Sequence, residues 1–177
     1  FFILSFTNAN TAYTGMRNIS SMEFVKDMQV GWNLGNTLDA YGDWVSGLDT
    51  ETCWGNPKTS KAMIDEIAKM GFKTLRLPVT WRCHIDDSPD YVIDSAWLNR
   101  VEEVANYGFQ NDMYVIINIH HDDPWIKLNY ADMDTVKYKL EKVWSQIADR
   151  FIDYSDYLVF ETLNEPRTEG SANEWTS

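Results

Sequence analysis

Met-Tyr-Val-Ile-Ile-Asn-Ile, residues 113–119, is a nearly unbroken run of apolar and β-branched side chains. A short run of this composition predicts a strand that is buried on both faces. Such strands belong to parallel sheets, because helices cover the faces of those sheets. Similar runs over residues 29–36, 72–78 and 157–163 predict three more strands of the same sheet.

Amphipathic segments alternate with these strands. Apolar side chains recur at helical spacing over residues 58–70, 95–111 and 135–153, and each segment predicts a helix. Gly71 is the expected stop of the first helix, and Ser95 is the expected N-cap of the second. The alternation predicts an α/β protein, and both a doubly wound sheet and a (β/α)₈ barrel fit it.

Composition limits the class of protein and its partners. The 177 residues suffice for one domain, and 44% hydrophobic with 24% charged residues is typical of a globular chain. The net charge of −12 argues against nucleic acid and against an anionic membrane as partners, since both would repel the chain. Aromatic residues make up 14% of the chain, and their rings can stack on the apolar faces of sugars. A neutral sugar polymer is therefore a compatible ligand.

The amino terminus differs in composition from the rest of the chain. It begins Phe-Phe-Ile-Leu-Ser-Phe-Thr-Asn-Ala-Asn-Thr-Ala, an apolar stretch followed by small residues, as at the end of a secretory signal. We expect residues 1–20 to be a signal-peptide remnant or a flexible N-terminus, residues 21–177 to form the folded domain, and the protein to be secreted. Cys53 and Cys83 are the two cysteines, and whether they pair stays open.

Polar side chains lie near the carboxyl ends of the predicted strands. Side chains alternate between the two faces of a strand. Arg76 and His120 should therefore each lie on one face of their own strands, and Glu161 and Glu165 should share a face of the fourth strand. Arginine and glutamate in a buried strand are costly unless paired, so a pair of Arg76 with Glu161 in the barrel interior is the alternative to a site role for Arg76, and both can hold. Parallel strands place their sites at the carboxyl ends. A guanidinium, an imidazole and a carboxylic acid that converge there predict a catalytic site.

Four motifs in chain order carry a family resemblance. They are Gly-Trp-Asn-Leu-Gly-Asn-Thr-Leu-Asp-Ala (31–40), Leu-Arg-Leu-Pro-Val-Thr-Trp (75–81), Val-Ile-Ile-Asn-Ile-His-His-Asp (115–122) and Phe-Glu-Thr-Leu-Asn-Glu-Pro (160–166). With these motifs the chain resembles glycoside hydrolase family 5 (cellulase family A), in the endo-β-1,4-glucanase branch that includes xyloglucan- and lichenan-active members. The resemblance covers roughly residues 22–175, including Ala172-Asn173-Glu174-Trp175.

The resemblance implies a (β/α)₈ TIM barrel that hydrolyses glycosides with retention, using two glutamates. Glu165 matches the acid/base at the end of strand four. Asn164 matches the amide that holds the sugar 2-hydroxyl, and Arg76 matches the arginine that orients and ionises the nucleophile. His120 matches a histidine that contacts the sugar at the cleavage site.

Further substrate-binding residues are expected in the loops that follow the strands. His121 and Asn36 match the family more weakly, as sugar-binding or loop-supporting residues, and Trp44 and Trp125 are expected to stack on sugars. Other tryptophans at strand ends or in loops are alternatives for stacking, namely Trp54 and Trp81. Adjacent strand residues point to opposite faces, so His120 and His121 should chelate a metal poorly. We expect neither a metal nor a cofactor.

Four predicted strands are half of the eight that a barrel requires. The predicted fold is therefore the N-terminal half, about four βα units, of a (β/α)₈ TIM barrel, with residues 21–177 as a partial catalytic domain. No residue matches the nucleophilic glutamate of strand seven. We expect a fragment of an endo-β-1,4-glucanase that acts on β-glucan polysaccharide or oligosaccharide, that is inactive alone, and whose partner is the missing C-terminal half-barrel.

Three alternatives stay open. The first is a carbohydrate-binding protein without catalysis. The second is a xyloglucanase, lichenase or mannanase of the same family. The third is a complete doubly wound domain with another function, which the lack of a Gly-x-Gly-x-x-Gly motif or a P-loop after any strand disfavours.

Overall fold

The computed structural model describes residues 15–166. Helices and strands alternate along this part of the chain. The elements are α1 (Ser21–Met28), β1 (Gly31–Asn33), α2 (Lys61–Lys69), β2 (Thr74–Leu77), α3 (Ser95–Phe109), β3 (Tyr114–Asn118), α4 (Met133–Arg150) and β4 (Leu158–Glu161). Two short 3₁₀ helices, Gly47–Thr52 and Arg82–His84, lie in the loops after β1 and β2.

The four strands form one parallel sheet in the order β1-β2-β3-β4. A doubly wound sheet reverses its strand order part-way, whereas this order follows the chain without reversal. Consecutive βα units with this order are the first half of a (β/α)₈ barrel. The predicted fold class is confirmed, and the doubly wound alternative is wrong.

One face of the sheet is the hydrophobic core. Leu75, Leu77, Val115 and Ile117 are fully buried there, beneath the helices. Gly108 of α3 lies so close to the sheet that an added Cβ would stand 2.8 Å from Val115 Cγ2. This helix–sheet contact therefore requires glycine.

The opposite face of the sheet carries polar side chains. Thr74, Arg76, Asn118 and Glu161 hydrogen-bond there rather than with the core, as the strand alternation predicts. The pair between Arg76 and Glu161, the alternative to a site role alone, is present. This face is the interior of the half-barrel, and it leads to the site at the carboxyl ends of the strands.

Two local features differ from the sequence-based expectation. Asp94, and not Ser95, is the N-cap of α3, because its side chain accepts a hydrogen bond from Ala96 N at 2.8 Å. Helix α1 was not expected, although it begins with a capping box in which Ser20 and Glu23 bond each other's backbone N–H. The helix spans only eight residues, and none of them is buried.

Arg17 ties the segment before α1 to the amino ends of β3 and β4. Its guanidinium bonds Asp156 at 2.8 Å and Asp27 at 3.0 Å, and it also donates to the Tyr114 hydroxyl. The cation lies over the rings of Tyr114 and Tyr157, which stack on each other with centroids 4.4 Å apart. These contacts close the end of the half-barrel opposite to the site.

A buried ion pair anchors the long loop between β1 and α2. Arg100 of α3 makes two 2.8 Å bonds to Glu51, and it donates to Thr59 O at 2.6 Å. Glu51 is fully buried and the Arg100 side chain is 3% exposed. The loop that borders the site is therefore held on the outer helix layer.

Several expectations fall outside the described residues. Residues 1–14, most of the expected signal remnant, and the Ala172–Trp175 motif are among them. Within residues 15–166 no helix is both long and apolar enough to cross a membrane. Cys53 and Cys83 are free thiols in the structure.

Candidate active site

Arg76 is the centre of the polar network at the carboxyl ends of the strands. Its Nε and Nη2 donate to the two carboxylate oxygens of Glu161 at 2.8 and 2.6 Å, and its Nη1 donates to Asn33 Oδ1 at 2.8 Å. The bond with Arg76 lowers the pKa of Glu161 and raises that of Arg76. The guanidinium thus joins β1, β2 and β4 and stays charged.

Arg76 also orients the amide of Asn164. Its Nη2 donates to Asn164 Oδ1 at 3.0 Å, and Asn164 N donates to Ile119 O at 2.8 Å. The backbone bond fixes the turn after β4. Because the carbonyl oxygen of the amide faces Arg76, its N–H groups are the side that can meet a ligand hydroxyl.

Glu165 follows directly and is exposed. Its backbone is in the left-handed region, with φ of +40°, which is rare for a residue other than glycine and is common at functional sites. The charge of Glu165 is among the causes that raise the pKa of Arg76, after Glu161 and Asp39. The predicted acid, amide and guanidinium therefore meet at one place.

His120 lies beside this group, just beyond the end of β3. Its Nδ1 is 3.1 Å from Asn118 Nδ2, and its Nε2 is 3.9 Å from Asp39 Oδ2. Burial lowers the pKa of His120, and the neighbouring His121 lowers it further. The imidazole is consequently neutral at neutral pH.

We expected no metal because adjacent strand residues point to opposite faces, and this reason is wrong for His120 and His121. His120 and His121 do not point apart: their rings meet edge to face with centroids 4.5 Å apart, because β3 ends at Asn118 and the alternation ends with it. Asp39, His120 and His121 offer ligand atoms within 4.8 Å of one another. Whether this group can hold a metal depends on which nitrogen of His120 carries its proton.

An aromatic wall of three rings continues from His120 along the loop after β1. His121 lies 5.6 Å from the rings of both Tyr41 and Trp54. Trp54 Nε1 donates to Tyr41 O at 2.8 Å, and the guanidinium of Arg82 covers Tyr41 at 4.1 Å. Trp54 is 38% exposed, so the wall offers an open aromatic surface next to the polar network.

The other predicted binding residues lie in the loops that follow β1 and β3. Trp44 is 76% exposed and lines a cavity of about 440 Å³ with Asp43, Val45, Ser46 and Asp49. Asn36 is exposed in the turn after β1, with φ of +60°. Trp125 is half-buried: its Nε1 donates to Asp122 at 2.8 Å, and Lys139 lies 4.7 Å from its ring. Sugar binding by these three residues stays a prediction.

The sequence-based site omitted three buried residues. Asn118 and Asp39 face His120, and Asp122 accepts bonds from Trp81 N at 2.9 Å and from Trp125. Desolvation raises the pKa of the Asp122 carboxyl. The strand alternation puts Asn118 on the face of His120, so that signal was present for one of the three.

Comparison with known proteins identifies the family of this chain. Residues 38–177 match the family model for cellulase (glycosyl hydrolase family 5). The chain belongs to glycosyl hydrolase family 5. It is 60% identical over 168 residues to Endoglucanase B of Clostridium cellulovorans, an alignment that covers 95% of this chain and 37% of the relative. It is 49% identical over 170 residues to Endoglucanase A of Ruminococcus albus, covering 96% of this chain and 46% of the relative.

Solved structures of family 5 proteins also match this chain in fold and sequence. The GH5-4 broad specificity endoglucanase of Ruminococcus champanellensis with bound cellotriose matches with a TM-score of 0.84 and 46% identity, over 90% of this chain and 47% of that one. ZgEngAGH5_4 in complex with a cellotriose matches with a TM-score of 0.82 and 60% identity, over 92% and 47%. The chain thus spans between about a third and a half of the length of these family 5 proteins.

Proposed function

We propose that this family 5 chain contributes the acid/base side of a retaining endo-β-1,4-glucanase site. The observation that carries the proposal is the unit formed by Arg76, Glu161, Asn164 and Glu165. One charged guanidinium fixes a carboxylate on the inner face and an amide at the mouth, directly beside an exposed glutamate. This unit has the parts that protonation of a glycosidic oxygen requires.

The chemistry assigns a role to each part. Glu165 would protonate the departing oxygen and then, as a carboxylate, activate a water molecule. The amide of Asn164 would donate to the sugar 2-hydroxyl, a bond that strengthens in the transition state. Retention needs a second carboxylate about 5–5.5 Å from the acid, and the resemblance assigns that nucleophile to strand seven. None of residues 15–166 is assigned that role.

The proposed substrate is an unbranched β-glucan. A neutral polymer suits the net charge of −12, and the aromatic wall gives sugar rings a stacking surface. Relatives are named as endoglucanases, and solved relatives include one described as xyloglucan-specific and one described as a lichenase. We take β-1,4-glucan as the main substrate and these two polymers as the closest competitors.

A chimera tests the activity. Residues 15–166 replace the matching segment of Clostridium cellulovorans Endoglucanase B, which supplies the rest of the barrel. We expect reducing ends and a rapid viscosity loss from soluble cellulose, with the first product released as the β-anomer. In the chimera, Glu165→Gln should lower kcat by about 10²- to 10⁴-fold, the usual contribution of a general acid–base.

The controls separate the possible failures. Substrates with an activated aryl leaving group need little protonation, so Glu165→Gln should slow their first step far less. An active chimera that tolerates Glu165→Gln would contradict the acid/base role. A folded chimera that binds cellotriose without hydrolysing it would favour the carbohydrate-binding alternative.

We also propose that the protein is secreted. A polymeric glucan lies outside the cell, and the apolar start of the chain resembles the end of a secretory signal. Detection of the protein in culture medium, with a cytoplasmic marker absent from it, tests the proposal. Retention of the protein with the cells would contradict it.

A further inference from the structure

The side-chain amide of Asn118 makes contacts within the site through both its oxygen and its nitrogen. It is fully buried in β3, in register with Glu161 on β4. Its Oδ1 accepts a hydrogen bond from Val79 N at 3.1 Å, and its Nδ2 donates to Glu161 Oε1 at 3.1 Å. A backbone N–H can only donate and a carboxylate can only accept, so both contacts fix the orientation of the amide.

The remaining amide proton points to His120. Asn118 Nδ2 lies 3.1 Å from His120 Nδ1, and an amide nitrogen offers a hydrogen and no acceptor. This contact is a hydrogen bond only when Nδ1 carries no proton. In the neutral ring the proton then sits on Nε2.

We propose that Asn118 is a positioning residue that holds His120 in the tautomer protonated at Nε2, so that the ring presents a donor to the cleft. The use of that donor rests on the proposed glucanase function, whereas the tautomer is a property of this chain by itself. Asn118 is not among the residues that the family resemblance assigns to the site.

The donor faces a matched acceptor. His120 Nε2 and Asp39 Oδ2 are 3.9 Å apart, too far for a direct hydrogen bond and close enough for one oxygen atom beside them to bond both. The other oxygen of Asp39 accepts from Thr37 N at 2.9 Å, which leaves Oδ2 to face the ring. A sugar hydroxyl placed there can accept from His120 and donate to Asp39.

The tautomer also decides whether the site can bind a metal ion. Asp39, His120 and His121 have metal-ligand spacing, but a protonated Nε2 offers no lone pair to a metal. Asn118→Asp would reverse this state, because a carboxylate accepts from Nδ1–H and leaves the Nε2 lone pair free. That is the carboxylate–histidine arrangement that supports metal ligands in proteins.

Nitrogen NMR of the native chain is the first test. The chain has three histidines, and His84→Gln and His121→Gln assign the signals of the third. With ¹⁵N-labelled histidine at pH 7.5, we expect His120 Nδ1 at the position of an unprotonated nitrogen and Nε2 at that of a protonated one. The reverse pattern, or fast averaging of the two nitrogens, overturns the proposal without any assay of hydrolysis.

Two matched amide-to-acid variants form the second test. Asn118→Asp should move the His120 proton to Nδ1 and increase Zn²⁺ affinity about tenfold or more in a calorimetric titration. Gln146→Glu is the control, because Gln146 also bonds backbone groups, at Ile93 N and Tyr91 O, away from the site. It should change neither readout.

The outcomes decide between positioning and mere packing. A folded Asn118→Asp protein with an unchanged tautomer, or equal Zn²⁺ gains in both variants, contradicts the proposal. If Asn118→Asp fails to fold, the native spectrum still decides. Loss of hydrolysis in a chimera with the native tautomer intact would count against the glucanase function and not against Asn118.

Discussion

Arg76 on β2 and Glu161 on β4 form a two-bonded ion pair that spans the intervening strand β3. The pair is 26% exposed on the arginine side and 32% on the glutamate side. Asn118 of β3 donates to the same carboxylate, so all three strands converge on Glu161. Residues of the first half of the barrel therefore suffice to position the proposed acid and amide.

Replacement of Glu161 by Gln should destabilise the chain by about 1–2 kcal/mol at pH 7, a value reduced for the partial exposure of the pair. The pKa of Glu161 is lowered in the folded state, so its contribution exists above the ordinary carboxyl pKa and is lost as pH falls through the lowered value. Urea unfolding at pH 7 and at pH 3 measures this loss. The exposed Glu66→Gln, which breaks a surface pair with Lys69, should change stability little at either pH. An unchanged Glu161→Gln deficit at pH 3 would contradict this account.

His84 should make the fold acid-sensitive. Its ring is stacked on Trp97 with centroids 3.7 Å apart, and burial lowers its pKa from 6.5 to about 4. The unfolded chain binds the proton more tightly, so stability is complete above pH 6.5 and falls between 6.5 and about 4, by up to about 3 kcal/mol. Urea unfolding of the native chain and of His84→Gln across this range tests the claim. The variant should lose less stability than the native chain on acidification, and parallel curves would contradict the prediction.

The fold was largely accessible from sequence, because buried strands and amphipathic helices leave a strong apolar pattern. Segment 113–119 predicted β3, found at Tyr114–Asn118, and segment 135–153 predicted α4, found at Met133–Arg150. Helix α1 was missed, because its eight residues give only about two turns of periodicity and none of them is buried in the core. Its capping box was a local signal for the start of the helix.

The site was accessible only where alternation or a motif applied. The pairing of Arg76 with Glu161 followed from strand alternation, and Glu165 came from its motif. The contact between His120 and His121 could not be predicted in this way, because the strand ends at Asn118, two residues before His120. Asp39 lies in a loop whose path depends on packing, so its approach to His120 Nε2 has no local sequence signal.

Replacing one residue of the buried pair Glu51 and Arg100 should destabilise the fold more than replacing both. Glu51→Gln leaves the buried guanidinium with only the half-exposed Glu103, at 2.7 Å, as its countercharge and should cost about 3 kcal/mol. The double replacement Glu51→Leu with Arg100→Met removes both charges and should cost clearly less. Thermal and urea unfolding of the two proteins measure the difference. A double variant as unstable as Glu51→Gln would show that the charges are not the cause.

Trp44 should contribute to glucan binding through its exposed ring. Covering one face with a sugar would bury roughly 50–100 Å² of a Trp ring, worth about 1–2 kcal/mol, so Trp44→Ala should weaken binding about tenfold. Cellotetraose titration followed by calorimetry is the measurement, and Tyr138→Ala removes a partly exposed aromatic ring on α4, 43% exposed against 76% for Trp44, as a control.

Gly42 offers a second way to disturb the same ring. An added Cβ there would stand 2.7 Å from the Trp44 ring, so Gly42→Ala must shift the indole while keeping it. If Trp44 acts by stacking, Gly42→Ala should weaken binding by an intermediate amount, because the ring is present but displaced. Normal affinity in both Gly42→Ala and Trp44→Ala would mean that the ring does not touch the glucan. In that case the aromatic wall of Tyr41, Trp54 and His121 would be the remaining stacking surface beside the polar network.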